Sequence, residues 1–120
     1  MKELKSVFSR EELTENAVKL LKKLIATPSM SRDEYNVSLI IEGFFNEHQL
    51  TVNRFKNNIW ATNKYFDAGK PSILLNTHHD TVKPNKAYTL DPFIPVEKDG
   101  ELFGLGSNDA GASLVAMVQT

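Results

Sequence analysis

Ser72-Ile73-Leu74-Leu75-Asn76-Thr77-His78-His79-Asp80 is the stretch on which the reading of this 120-residue chain turns. An apolar run of strand character ends there on two imidazoles and a carboxylate, with no helix or turn signal between them. The unbroken Ile73-Leu74-Leu75 predicts a strand over residues 72–77 buried on both faces, as at the centre of an α/β sheet. In open α/β sheets ligands gather at the carboxyl ends of strands, which puts chemistry at 78–80. Side chains alternate faces along an extended backbone, so His78 and Asp80 share one face and His79 takes the other. The same-face pair is the useful one: a histidine ligates a divalent metal while a nearby carboxylate fixes its orientation and tautomer. A purely structural hydrogen-bonded pair at a strand end fits the bare pattern as well.

Upstream, Ser9-Arg10-Glu11-Glu12 fits a capping box, and Leu13, Ala17, Leu20, Leu21, Leu24 and Ile25 recur at helical spacing behind it. Pro28 ends that helix, because proline disfavours helical geometry in the residue before it. Ser31-Arg32-Asp33-Glu34 repeats the capping pattern and predicts a second helix carrying Val37, Ile40, Ile41, Phe44 and Phe45, ending near His48 or Gln49. Val52 to Phe55 and Ile59 to Ala61 read as two strands, joined by a tight turn at Asn57-Asn58 because asparagine tolerates left-handed geometry. Asp67 to Pro71 form a turn.

Downstream, residues 83–95 hold Pro84, Pro92 and Pro95 and read as a loop. Asp99-Gly100 marks a hairpin between Val96-Glu97-Lys98 and Glu101-Leu102-Phe103. A glycine-rich loop, 104–113, then leads into a third helix with Leu114, Val115, Met117 and Val118 on its apolar side. That helix meets no stop signal before Thr120, so the chain is expected to be the N-terminal part of a longer one.

Composition narrows the chemistry. Fourteen Lys plus Arg against fifteen Asp plus Glu give a net charge of −1, which leaves no electrostatic footprint for nucleic acid or an anionic membrane. With no cysteine there is neither a disulfide scaffold nor a thiolate zinc site, and His, Asp and Glu remain as the strong metal ligands. Residues 1–5 are not followed by a long apolar core, so no secretory signal is read there. No stretch approaches the roughly 20 apolar residues of a membrane span, and the cytoplasm is the expected compartment.

Asp109, exposed by the glycine-rich turn, is the second candidate ligand; capping the following helix is the ordinary role of an aspartate there. Separated carboxylates with an imidazole suit zinc, manganese or cobalt. His79 is read as structural or supporting, and His48, near a helix C-terminus, as a surface residue. Gly104-Leu105-Gly106 is also half of a dinucleotide-binding loop, but Asp109 puts a negative charge where a pyrophosphate would approach.

Together, His78-His79-Asp80-Thr81-Val82, Asp91-Pro92-Phe93 and the run from Asp99-Gly100 through Leu102-Phe103-Gly104 and Gly106 to Asp109 resemble the M20 zinc peptidase family. The likeness covers nearly the whole chain, from Leu24 to Ser29 onward. It implies an α/β fold: a mixed sheet flanked by helices, part of a zinc-peptidase-like catalytic domain truncated at its C-terminal side. It further implies that His78 binds one zinc, that Asp80 has the catalytic role of orienting His78, and that Asp109 bridges two zincs. The family's general base is the first of a Glu-Glu pair beyond the bridging aspartate, and no such pair follows Asp109 here. The remaining ligands and a lid domain with the dimer contacts are also expected outside these residues, and a homodimer is expected of the full-length protein. The implied activity is removal of an acyl group from a small N-acyl amino acid, of the acetyl- or succinyl-ornithine type of arginine biosynthesis. Within the family, Thr81 and Gly104-Leu105-Gly106 look more like acylornithine deacetylases than desuccinylases. Asn76-Thr77 and Ala110-Gly111-Ala112 depart from its usual pattern. A dipeptidase or aminoacylase is the alternative within the family, and a non-catalytic α/β binding module is the alternative for the segment as it stands.

Overall fold

The computed structural model describes residues 8–120, so the reading of residues 1–5 lies outside the described residues. α1 (Arg10–Ile25) begins as its sequence dictates. The Ser9 N–H donates to Glu12 Oε2 at 2.7 Å, and the Glu12 N–H donates to Ser9 Oγ at 3.1 Å. Both halves of the capping box are closed, satisfying donors that a helix start leaves open. The helix caps at Ala26, two residues before Pro28, with its Leu20, Leu21 and Ile25 buried. Against this face α2 (Tyr35–Glu47) lays Val37, Ile41 and Phe44, and α3 (Ala112–Val118) adds Leu114 and Val115. At about 1.5–3 kcal/mol for each fully buried aliphatic or Phe side chain, this three-helix contact is the main source of cohesion.

Two antiparallel hairpins complete the regular structure among the described residues. In the first, β1 (Val52–Phe55) pairs with β2 (Asn58–Ala61), Val52 opposite Ala61 and Phe55 opposite Asn58. The left-handed residue of its turn is Lys56 at φ 55°, not an asparagine, and Asn58 belongs to the strand. A two-residue connection demands positive φ at its first central position whatever residue stands there. Arg54 ties this hairpin to α2: Nε donates to Glu42 Oε2 at 3.0 Å, and Nη1 donates to the buried Ser38 Oγ and to the Lys56 carbonyl, each at 2.9 Å. In the second hairpin, β3 (Val96–Lys98) pairs with β4 (Glu101–Phe103). Asp99 at φ 53° and Gly100 at φ 79° supply the two left-handed positions that a tight hairpin of this kind needs.

The predicted central strand is not formed. No strand pairs with residues 72–77 among the described residues, and Ile73 and Leu74 are 89% and 84% exposed. Helices and strands are both present, as expected of a mixed α/β chain, but among the described residues the expected mixed sheet is replaced by two separate hairpins. The only parallel contact among the described residues is a bridge between Met30 and Thr81. An apolar run predicts burial, yet a two-face-buried strand is buried only by neighbours at both edges and layers on both faces. Leu74→Ala is therefore expected to change the unfolding free energy of the 120-residue chain by less than about 0.5 kcal/mol. A urea titration checks this; a loss of about 2–5 kcal/mol would mark Leu74 as a core residue. No helix among the described residues is long and apolar enough to cross a membrane.

Candidate functional site

The carboxyl end of the opening stretch is held although its middle is not. Residues 29–31 run beside 79–81: the Thr81 N–H donates to the Ser29 carbonyl at 2.8 Å, and the Ser31 N–H donates to the Thr81 carbonyl at 3.1 Å. The hydroxyl of the buried Ser29 donates to the His79 carbonyl at 3.0 Å. From the opposite side, His79 Nε2 donates to the Asn57 carbonyl at 2.9 Å, in the turn of the hairpin that Arg54 fixes to α2. His79 thus points away from His78 and anchors the segment.

His78 lies between two carboxylates. Its Nδ1 is 3.1 Å from both the backbone carbonyl and Oδ1 of Asp80, while its Nε2 is 3.1 Å from Asp109 Oδ1. Asp109 reaches it from 31 residues away, on the glycine-rich loop. A Cβ on Gly104 would stand 2.4 Å from Ile25 Cγ2, and one on Gly106 would stand 2.6 Å from Thr81 Cγ2. Gly106 also has φ 75°. Both glycines therefore let the loop press against α1 and the site segment, which explains them without a phosphate. Asp109 is not a helix cap: α3 is capped by Gly111 with no side-chain bond. It sits in the irregular turn Ser107–Gly111, its side chain 88% exposed and its carboxylate turned toward His78.

The electrostatics follow from these contacts. Partial burial opposes charge on His78, but hydrogen bonds to the Asp80 backbone and carboxylate and to Asp109 outweigh it and raise its pKa above the usual 6.5. The Asp80 carboxyl is held below its usual range, first by a hydrogen bond from Ser31, against burial, and then by His78. Ser31 is the residue the sequence misassigned. Its hydroxyl does not cap α2 but donates to Asp80 Oδ2, and α2 begins after Glu34 with no side-chain cap. Arg32, at φ 76°, turns the chain away from a helical start, and a hydroxyl bonded to an ionised carboxylate outcompetes a neutral cap. His48 stays apart from the site, its Nδ1 donating to the Phe44 carbonyl at 2.8 Å and its ring packed on Phe44.

His78, Asp80 and Asp109 open onto a cleft of about 770 Å³ whose apolar walls include Tyr88, Leu90 and Phe103. That volume suits a small molecule. The donors fit part of a divalent metal site: the imidazole has one nitrogen fixed by a carboxylate and the other turned to a second, hard carboxylate. Among the described residues no group of three or more His, Cys, Asp or Glu is placed to hold a metal ion. What the arrangement offers is two adjacent ligand positions with one of them pre-oriented.

No protein-family model matches the chain. It is similar to the succinyl-diaminopimelate desuccinylase of Bordetella pertussis, 32% identical over 107 residues that cover 82% of this chain and 27% of the relative. The enzyme of that name from Xylella fastidiosa is 35% identical over 103 residues, covering 79% and 26%. The one from a Sulfurovum species is 29% identical over 106 residues, covering 87% and 28%. The chain thus spans about a quarter of the length of the curated relatives it matches.

Proposed function

We propose that the chain belongs to the M20 zinc peptidase family, as the N-terminal part of its catalytic domain, and that the complete enzyme hydrolyses the amide of a small N-acyl amino acid. The observation that carries this reading is His78, with Nδ1 held by Asp80 and Nε2 facing Asp109 across 31 residues of sequence. The similarity to desuccinylases supports it from an independent direction. In the proposed site His78 and Asp109 hold zinc, with cobalt or manganese as substitutes, and Asp80 orients His78. When bound, the metal pair supplies Lewis acidity toward the amide carbonyl and activates water. The chain's own residues present the imidazole in one tautomer, hold Asp109 against it and wall the substrate cleft. A general base and further ligands come from the rest of the complete enzyme, which we propose is a cytoplasmic homodimer. The 120-residue chain alone is proposed not to hydrolyse.

The substrate reading is an N-acylated diamino acid. Asp91 and Glu101 line the cleft, and no Lys or Arg does among the described residues, which suits a substrate bearing a free ammonium. The names of the relatives favour a succinyl group, while Thr81 and Leu105 resemble the acylornithine enzymes. Assaying the complete protein with N-succinyl and N-acetyl diamino acids, dipeptides and neutral acyl amino acids tests this. Faster turnover of neutral acyl amino acids or dipeptides would contradict it.

The raised pKa of His78 makes metal binding pH-dependent. A metal at Nε2 must displace the proton that faces Asp109, so apparent zinc affinity is expected to rise with pH through that raised value. Calorimetry in two buffers of different ionisation enthalpy should register proton release, and its absence would contradict the assignment. In the metal-free chain the His78 contribution to stability runs the other way, and that of Asp80 does not. The His78 contribution is present below 6.5 and is lost as pH rises through the raised value. The Asp80 contribution is present above 3.8 and is lost as pH falls through its lowered value.

A further inference from the structure

We infer that Ser31 is a positioning residue of the proposed metal site, acting through Asp80 to set the affinity of His78 and Asp109 for zinc. The inference rests on the metal reading above and goes beyond it by adding a residue that touches neither ligand. Asp80 has two carboxylate oxygens, and each has a different partner: Oδ2 accepts from the Ser31 hydroxyl, and Oδ1 faces His78 Nδ1 at 3.1 Å. With one oxygen pinned, the carboxylate cannot rotate about its own axis without breaking the Ser31 bond. His78 is then held with Nδ1 toward Asp80 and Nε2 toward Asp109. The serine is itself fixed, because its N–H donates to the Thr81 carbonyl at 3.1 Å and the neighbouring Met30 bridges Thr81. This matters here because no strand ladder steadies residues 72–77 among the described residues, and the Asp80 side chain is 35% exposed. Without Ser31, water would take its place and leave the carboxylate free to turn. Ser29 provides an internal control. Its hydroxyl binds the His79 carbonyl at 3.0 Å in the same pair of segments but does not touch Asp80.

The test is the zinc dissociation constant of the complete enzyme, measured by competition with a chromophoric chelator, alongside the thermal midpoint of each metal-free variant. Ser31→Ala is expected to weaken zinc binding about tenfold, at the lower end of what loss of a supporting partner costs a metal site. Ser31→Thr, which keeps the hydroxyl, should restore most of the affinity. Ser29→Ala should lower the thermal midpoint while leaving zinc affinity within about twofold of the parent protein. Wild-type affinity in Ser31→Ala, with binding abolished in His78→Ala, would overturn the role of Ser31 and leave the metal reading standing. Equal losses in Ser29→Ala and Ser31→Ala, or no rescue by threonine, would overturn it too, since the segment rather than the hydroxyl would then be responsible. Unchanged binding in His78→Ala would refute the metal reading itself.

Discussion

The amide hydrolysis proposed for the complete enzyme is expected to fall at least about 10³-fold in His78→Ala or Asp109→Ala. The two residues carry the two nitrogen and oxygen donors that the structure brings to 3.1 Å of each other, and nothing else among the described residues completes a three-ligand group. Loss of either removes a proposed metal position rather than loosening one. Metal stabilisation of developing charge is worth several kcal/mol, and each 1.36 kcal/mol is tenfold in rate. Asp80→Ala is expected to do less, about 10–100-fold in metal affinity, because it supports a ligand without being one. The ranking is the informative part. Steady-state kinetics with bound-zinc analysis of the three variants should place Asp80 between the parent and the two ligand variants. Full activity in His78→Ala or Asp109→Ala would remove that residue from the site.

Ile25→Ala is expected to cost about 2–5 kcal/mol of folding stability. Its side chain is 3% exposed and belongs to the cluster that joins the three helices. It also touches the backbone path to the site, since Gly104 packs directly against it. Total stability of a domain is only about 5–15 kcal/mol, so a loss of this size consumes a large part of it. The cavity would also free the glycine-rich loop from α1, so Asp109 should lose its alignment with His78 before the chain unfolds. Urea titration gives the stability, and zinc affinity at low urea gives the alignment. A cost below about 1 kcal/mol would show that the three-helix contact is not the main support.

Local signals in the sequence proved reliable, and signals with distant causes did not. The Ser9 to Glu12 capping box and the Asp99-Gly100 hairpin each depend on a few adjacent residues and formed as read, and α2, expected to end near His48 or Gln49, ends at Glu47 with His48 as its cap. Ser31 shows the limit of that logic. Its spacing to Glu34 is that of a cap, but its hydroxyl partner lies 49 residues away, where no local pattern can point. Residues 72–77 fail for a related reason. Ile73-Leu74-Leu75 records an apolar demand, and no segment among the described residues meets it. The geometry of the candidate site was partly legible. Alternation separated His79 from His78 and Asp80, but neither the anchoring of His79 to Asn57 nor the departure of Asp109 from a capping role could be read without the turn geometry.

The most direct measurement is a zinc titration of the complete enzyme, followed by long-range ¹H–¹⁵N spectra in which the rings of His48, His78 and His79 are assigned. Occupancy of the proposed site predicts that the Nε2 resonance of His78 moves to a metal-bound position while His48 and His79 stay where they are. Unmoved His78 resonances at saturating zinc, or a metal shift on His48 or His79 instead, would contradict it.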